Sequence, residues 1–266
     1  MKLIVNDREA YAYTGGKTFN PALPSLVFIH GAMNDHSVWT LLARSFAHHG
    51  YNVFAVDLPG HGRSAGPVLE SVEACAGWIW DLLDTAGVEQ AALAGHSMGS
   101  LIALEAAGQQ PERATRLLMI GTAYPMKVSD ALLDTARETP LKAIDMVNAF
   151  SHSGWAAKPS YPGPGAWLQG GSRALMRRML AQQTEVNLFE HDFKVCDRYA
   201  GGLEAAVRVI CPVSLLLGER DQMTSPKQTA SLIAALKPWV YKLPAGHALM
   251  AEAPEQMLTA MRQALG

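Results

Sequence analysis

Cysteine is scarce in this sequence, which contains only Cys75, Cys196 and Cys211 among its 266 residues. Three widely separated cysteines do not make the framework of a disulfide-rich domain, and no Cys-x-x-Cys pair is present to hold a metal ion. We therefore expect reduced, buried thiols, as in a cytoplasmic protein.

Basic runs and long apolar stretches are also missing. The 22 Lys and Arg residues are balanced by 24 Asp and Glu residues, and the resulting net charge of −2 argues against nucleic-acid binding. The first apolar stretch ends at Asn6 and is too short for a signal peptide, and no later stretch is long enough to span a bilayer. We expect no membrane association.

The residues that are present predict a folded domain with a substantial core, since 49% are hydrophobic and 17% are charged. The length suits one large domain that carries an insertion. Short, continuous apolar runs predict buried strands at several places along the chain. These strands are Ser25–His30, Asn52–Asp57, Gln90–His96, Arg116–Thr122 and Val213–Glu219, with WVYKL as a late strand.

Helical periodicity fills the intervals between the early strands. It predicts helices at His36–Gly50 and Val72–Gly87, and a third helix in MGSLIALEAAGQQ, which Pro111 closes. Buried strands that alternate with helices form a parallel sheet covered on both faces. The predicted fold class is therefore α/β, with a doubly wound and mostly parallel sheet.

The alternation stops after Thr122 and resumes near Cys211. Helical patterns in SDALLDTARE and SRALMRRMLAQQ lie between these points, separated by Lys158–Gly171. The three prolines and four glycines of that stretch predict a loop without a regular element. We expect a helical subdomain at 123–200, inserted into a core made of 1–122 and 201–266.

The segment LAGHSMGS places Ser97 between Gly95 and Gly99, at a predicted strand end and helix start. A sharp turn there would present the serine hydroxyl outward, and side chains two residues away on either side would collide with the crossing helix and strand. A lone Gly-x-Ser-x-Gly match also arises by chance, so the strand–turn–helix context carries the argument. Ser97 is the predicted nucleophile.

A serine hydroxyl needs a base, and the base needs an acid that orients it. His247 lies in PAGHALMAEAP, beyond a late strand, at the sheet edge where open α/β folds gather their active sites. Asp221 follows the strand VSLLL in a loop rich in turn residues, and Glu219 is the alternative acid. Ser97, Asp221 and His247 follow the order that this architecture requires.

A tetrahedral intermediate also needs backbone N–H donors for its negative oxygen. Met98 opens a helix, so its N–H is free and lies at the positive end of the helix dipole. The second donor is expected from the loop after the first buried strand, where Gly31 lets the backbone turn towards Ser97. The Ala32 N–H is the first candidate there and the Met33 N–H is the second.

Five segments in order resemble the α/β-hydrolase superfamily: HGAMNDHSVW, DLPGHGRS, GHSMGS, LLLGERD and GHALMAEAPE. The resemblance spans nearly the whole chain. It implies that Ala32 donates to the oxyanion, that 123–200 is a cap over the pocket, and that Asp57 and His61 belong to a structural loop without a chemical role. Many relatives have glycine at Ser100, a difference that we expect to affect helix packing.

Methionine and tryptophan side chains predict an apolar substrate pocket, because methionine adapts to irregular apolar shapes. The expected pocket residues are Met33, Trp155, Trp167, Met223 and Met250. The alternative is that the apolar side chains of the cap pack with one another in a cap core. These side chains include Met126, Met146, Phe150, Met176 and Met179. Arg173, Arg177 and Arg178 are expected on a solvated helix face, with a substrate carboxylate as their alternative partner.

The sequence leaves three functions open. The favoured one is a carboxylic-ester hydrolase that works through an acyl-enzyme, without a metal ion or organic cofactor. A hydrolase of C–C bonds or enol lactones would use the same three residues, and a non-enzymatic receptor for small molecules would use the same fold. Relatives with aspartate at the nucleophile are dehalogenases or epoxide hydrolases, and Ser97 argues against both. The sequence leaves a homodimer open.

Overall fold

The structure is a computed structural model and describes residues 1–154 and 167–266. The strands of this part of the chain form one sheet in the order β1-β2-β4-β3-β5-β6-β7-β8. From β3 to β8 all neighbouring strands are parallel, whereas β2 pairs antiparallel with both β1 and β4. The strands are β1 Lys2–Val5, β2 Arg8–Tyr13, β3 Ser25–Ile29, β4 Asn52–Val56, β5 Ala91–His96, β6 Ala114–Ile120, β7 Val213–Gly218 and β8 Trp239–Leu243.

Helices cover both faces of the sheet, which confirms the predicted α/β class. Alternate side chains of β3 enter two separate cores, because successive residues of a strand point to opposite faces. Val27 and Ile29 pack in the core that α2 (Val72–Thr85) and α3 (Met98–Gln109) complete, while Phe28 packs in the core of the other face. The remaining helices of the sheet core are α1 Thr40–Ala47, α8 Gly202–Arg208, α9 Ala230–Leu236, α10 Leu249–Glu252 and α11 Pro254–Leu265, with short 3-10 helices at His36–Trp39 and Pro226–Thr229.

Four described helices lie between β6 and α8, within the predicted insertion. They are α4 Asp130–Glu138, α5 Pro140–Ser151, α6 Leu168–Gln182 and α7 Leu188–Arg198. We call the described residues 123–154 and 167–200 the cap segment. Its boundaries as a separate domain remain a prediction.

The predicted loop at Lys158–Gly171 is wrong in its last residues, because α6 begins at Leu168 and includes Gly170 and Gly171. The Trp167 indole lies against the first turn of this helix. A Cβ atom at Gly170 would lie 2.2 Å from the indole, so glycine here makes room for the ring rather than ending the helix.

The cysteines are free, with Cys75 and Cys196 buried and Cys211 half-buried. None of the described helices combines the length and the apolar character that crossing a membrane requires.

Candidate active site

Ser97 occupies a sharp turn between β5 and α3. Its backbone has φ 53° and ψ −120°, a conformation that non-glycine residues adopt only under strain. A Cβ atom at Gly95 would lie 1.9 Å from the Gly99 carbonyl oxygen, and one at Gly99 would lie 2.3 Å from the Ile29 carbonyl oxygen. Both glycines are therefore required by the close passage of backbone around the turn, in agreement with the steric prediction.

His247 and Asp221 are hydrogen-bonded, with 2.8 Å between His247 Nδ1 and Asp221 Oδ2. Asp221 also accepts the Thr224 N–H and hydroxyl, at 2.8 and 2.7 Å. Burial alone would raise the pKa of the Asp221 carboxyl, but the neighbouring His247 and these hydrogen bonds lower it overall. The alternative acid, Glu219, is exposed to solvent. Asp221 is therefore the residue that holds the imidazole.

The orientation of His247 leaves its second ring nitrogen available. Because a carboxylate only accepts, Nδ1 carries the hydrogen and Nε2 carries the lone pair of the neutral ring. In residues 1–154 and 167–266, neither His247 Nε2 nor the Ser97 hydroxyl has a hydrogen-bond partner. Both residues line the same cavity. Such bonds are often long before a substrate binds, so the free nitrogen suits a general base.

The backbone after β3 passes directly over the serine. A Cβ atom at Gly31 would lie 3.1 Å from Ser97 Cβ, a closer contact than side-chain carbons ordinarily make, so glycine favours this crossing. The Met33 N–H is already donated to Asp192 Oδ2 at 2.8 Å, whereas those of Ala32 and Met98 have no acceptor among the described residues. Of the two candidate donors in this loop, Ala32 is therefore the one left free.

The cavity has a volume of about 1070 Å³ and lies between the sheet edge and the cap segment. Three predicted pocket residues line it: Trp167, which is 66% exposed at the surface, Met223 and Met250. Met33 does not, because its side chain is fully buried in the core beside α2 and α3. Trp155 lies outside the described residues. Of the other cap side chains named from the sequence, Met126, Met146, Phe150 and Met176 line the cavity, whereas Met179 is buried in the core.

The three arginines of α6 differ in their surroundings. Arg178 lines the cavity and forms an ion pair with Asp35 at 2.7 Å, while Arg173 pairs with Asp145 at 2.7 Å on an exposed face. Arg177 is exposed to solvent, as predicted for a solvated helix face. Only Arg178 is therefore placed to meet a bound substrate.

His152 is a cavity residue that the sequence pattern did not indicate, since it follows an ordinary amphipathic helix. Its Nδ1 lies 3.1 Å from the Asn148 carbonyl oxygen, so Nδ1 carries the hydrogen. Its Nε2 is buried and has no partner among the described residues. With the hydrogen on Nδ1, Nε2 is a buried acceptor next to the cavity.

The end of α5 is fastened to the loop that carries His247. The Glu252 carboxylate accepts the Gly246 N–H at 3.0 Å and the Ser153 N–H at 2.9 Å, and the Ala248 N–H donates to the Ser151 carbonyl oxygen at 3.0 Å. A Cβ atom at Gly246 would lie 2.7 Å from the Ser153 nitrogen, so glycine permits this contact.

One cluster of potential metal ligands occurs in the described residues, formed by Asp35, His36 and Asp57. The carboxylate oxygens of this cluster already accept hydrogen bonds from neighbouring groups. Asp57 accepts His36 Nδ1 at 2.8 Å and the Arg63 N–H at 2.9 Å, and Asp35 is the acceptor for Arg178. These contacts make the cluster a structural link between the HGAMNDHSVW and DLPGHGRS segments.

The sequence profile of a family described as "Alpha/beta hydrolase family" matches residues 26–260. Two relatives match parts of the chain. The 2-succinyl-6-hydroxy-2,4-cyclohexadiene-1-carboxylate synthase of Escherichia coli O1:K1 / APEC is 36% identical over 34% of this chain and 35% of its own length. The dihydrolipoyllysine-residue acetyltransferase component of the acetoin cleaving system of Cupriavidus necator is 34% identical over 47% of this chain and 31% of its own length. The matched segments thus span about a third of these relatives.

Solved structures match the whole chain. A bacterial membrane phospholipase A, described as a virulence factor, has a TM-score of 0.79 at 26% identity and covers 100% of this chain and 84% of its own. The enol-lactonase of Burkholderia xenovorans LB400 has a TM-score of 0.80 at 19% identity, with 100% and 99% covered. A thermophilic esterase has a TM-score of 0.79 at 20% identity, with 100% and 96% covered. The last two show likeness of fold alone.

Proposed function

Because the chain belongs to the alpha/beta hydrolase family, we propose that it is a serine hydrolase that cleaves small or medium carboxylic esters through an acyl-enzyme. One observation carries the proposal. Asp221 holds His247 at the cavity that Ser97 also lines, and among the described residues His247 Nε2 has no partner and the neighbouring Ala32 and Met98 N–H groups have no acceptor.

In the proposed acylation, His247 Nε2 takes the Ser97 proton as the hydroxyl oxygen attacks the ester carbonyl carbon. The carbonyl oxygen becomes negative and accepts the Ala32 and Met98 N–H groups. The protonated His247 then gives its proton to the leaving alcohol oxygen as the C–O bond breaks. Asp221 keeps the ring oriented and stabilises its cationic form.

In the proposed deacylation, a water molecule takes the place of the alcohol. His247 accepts a proton from the water as the water oxygen attacks the acyl carbon. It then gives that proton to the Ser97 oxygen as the ester bond between Ser97 and the acyl group breaks. The products are a carboxylic acid and the free enzyme. Every group needed for this cycle belongs to the chain itself.

The cavity supports an apolar substrate of moderate size. Its volume of about 1070 Å³ lies near the upper end of ordinary ligand sites. Methionine side chains from the cap segment and the catalytic loops form much of its wall, including Met126, Met146, Met223 and Met250. We expect acyl chains longer than acetyl to fill this volume best.

A screen of p-nitrophenyl esters of graded chain length tests the proposal, with Ser97→Ala as the control. Wild-type protein should turn over the esters, and the variant should lose about 10³-fold or more of kcat. A fluorophosphonate should label Ser97, as located by mass spectrometry. A burst of product without sustained turnover would favour a receptor, and equal activity of Ser97→Ala would refute the proposal.

A hydrolase of C–C bonds or enol lactones is the second candidate, because a cation and a hydrogen-bond acceptor lie on the cavity wall. Arg178 is half-exposed at the cavity, and His152 offers a buried ring nitrogen. Arg178 could receive a substrate carboxylate, and His152 Nε2 could accept a hydrogen bond from a substrate hydroxyl or enol group. Inertness towards esters, together with cleavage of an enol lactone or a vinylogous diketone, would favour this function.

A further inference from the structure

A buried carboxylate of the cap segment reaches the backbone beside the proposed oxyanion donor. Asp192 lies on α7, its side chain is 1% exposed, and it is 159 residues away from Met33 in sequence. One of its oxygens, Oδ2, accepts the Met33 N–H at 2.8 Å and also lies 3.0 Å from His61 Nε2. The cap segment thus binds the core at the peptide that follows Ala32.

The two ring nitrogens of His61 show that this contact is an ion pair. Nε2 faces the Asp192 carboxylate, and Nδ1 lies 3.1 Å from the Pro59 carbonyl oxygen. Both partners are acceptors, so both nitrogens carry hydrogen and the ring is positively charged. Burial opposes charge on both side chains, yet their mutual attraction raises the pKa of His61 and lowers that of Asp192.

Met33 has a backbone conformation that needs such support. Its φ is +59°, in the left-handed region that a residue with a side chain adopts only at an energetic cost. Because the Met33 N–H is held by Asp192, the Ala32–Met33 peptide plane is fixed. The neighbouring Ala32 N–H, which has no acceptor among the described residues, is thereby kept at the cavity wall.

We propose that Asp192 is a positioning residue through which the cap segment holds the oxyanion loop, residues 30–33 after β3, in its active conformation. The inference rests on the proposed function, since it assigns the Ala32 N–H to the oxyanion. It makes docking of α7 a condition for transition-state stabilisation. The cap segment then contributes to the rate of the reaction as well as to the shape of the cavity.

The test compares Asp192→Ala with Asp192→Asn, which keeps an oxygen acceptor without its charge. Glu190→Gln is the matched control, because Glu190 lies on the same helix and pairs with Arg137 and Lys194 near the surface. With a p-nitrophenyl ester, Asp192→Ala should lose about 10- to 100-fold in kcat, below the cost of removing a donor outright, with KM changed by less than about threefold. Asp192→Asn should lose about three- to tenfold, and the control should match wild type.

Hydrogen exchange supplies a readout that does not depend on catalysis. The Met33 amide should be protected in wild-type protein and in Glu190→Gln, and should exchange faster in both Asp192 variants. If Ser97 is not labelled and esters are not cleaved, the proposed function has failed, and the exchange of Met33 alone decides whether Asp192 holds this loop.

The inference is overturned if folded Asp192→Ala keeps kcat within about twofold of wild type, or if its Met33 amide stays protected. A loss that appears in KM alone also overturns it, because a misplaced oxyanion donor acts on the transition state. Should Asp192→Ala fail to fold, Asp192→Asn decides. Wild-type values of both kcat and Met33 exchange in that variant refute the positioning role.

Discussion

Two carboxylates fasten the cap segment to the sheet core, and they differ in origin and in what surrounds them. Asp192 comes from the cap segment, is fully buried and pairs with the charged His61 of the core. Glu252 comes from the core, is half-buried and accepts N–H groups from Ser153 and Gly246, with no cation at ion-pair distance in the described chain. The first contact therefore depends on charge within the core, and the second on ordinary hydrogen bonds at its edge.

The two contacts also act on different parts of the proposed site. Asp192 accepts the Met33 N–H of the oxyanion loop, and Glu252 accepts the N–H of Gly246, the residue that precedes His247. A cap segment that moved away would disturb both sides of Ser97 at once. Substitutions that remove one contact at a time separate these effects.

The largest effect on stability is expected for Asp192→Ala. It leaves the His61 cation buried without a partner and the Met33 N–H without an acceptor, so the free energy of unfolding should fall by about 3–5 kcal/mol. Urea denaturation followed by tryptophan fluorescence measures it. Glu190→Ala, on the same helix, should cost at most about 1 kcal/mol. Equal losses in the two variants would show that burial of the pair is unimportant.

The pH dependence of stability should distinguish the ion pair of Asp192 from the contact of Glu252, which has no cationic partner among the described residues. Because the His61 pKa is raised from 6.5 by folding, its contribution is complete below pH 6.5 and is lost as pH rises through the folded value. Because the Asp192 pKa is lowered from 3.8, its contribution is complete above that pH and is lost as pH falls through the folded value.

The unfolding free energy of wild type relative to Asp192→Asn should therefore be largest between pH 3.8 and 6.5, and should shrink above this window by about 1.4 kcal/mol for each pKa unit of the His61 shift. Urea denaturation at a series of pH values measures the difference. A difference that stays constant into the alkaline range would contradict a charged His61.

Glu252→Ala should have a smaller effect. It leaves the Gly246 and Ser153 N–H groups without their acceptor at a half-buried site, so about 1–2 kcal/mol should be lost. Ester hydrolysis should fall several-fold because His247 follows Gly246. Glu252→Gln, which keeps only one of the two acceptor oxygens in use, should recover part of both losses. Failure of glutamine to do so would point to the charge of Glu252 instead.

The smallest effect is expected for Arg178→Met, which removes a third contact between the cap segment and the core. The Arg178 side chain is 50% exposed, so solvent and salt screen its pair with Asp35, and the stability change should stay within about 1 kcal/mol. The remaining difference should decrease between low and high salt concentration. A larger loss of stability that does not depend on salt would show that this ion pair behaves like the buried contacts.

The placement of Ser97, Asp221 and His247 at one edge of the sheet could be predicted from the sequence, because each of them follows an apolar strand of recognisable length. Parallel strands bring their carboxyl ends to one edge, so the order of strands and loops was enough to gather these residues. The β1–β2 hairpin was not predicted. Asn6 and Asp7 both have positive φ, and this two-residue turn between short alternating strands is the signal that could have indicated it.

The contact between Asp192 and His61 could not be predicted, because it joins residues 131 positions apart. In the α7 sequence, Asp192 cannot be told apart from its acidic neighbours Glu190 and Asp197. All three could belong to one solvated helix face. His61 lies in a loop to which the resemblance assigns only a structural role. Tertiary packing alone decides which of these charges is buried.

The ion pair between Asp192 and His61 also limits how this cap segment could be exchanged. A helical insertion grafted from another hydrolase would have to bring a carboxylate to the place of Asp192. Without it, the core would keep a buried imidazole that had lost its counter-ion, and an oxyanion loop whose left-handed residue had lost its acceptor. Chimeras of such enzymes should therefore exchange the insertion together with His61 and its loop.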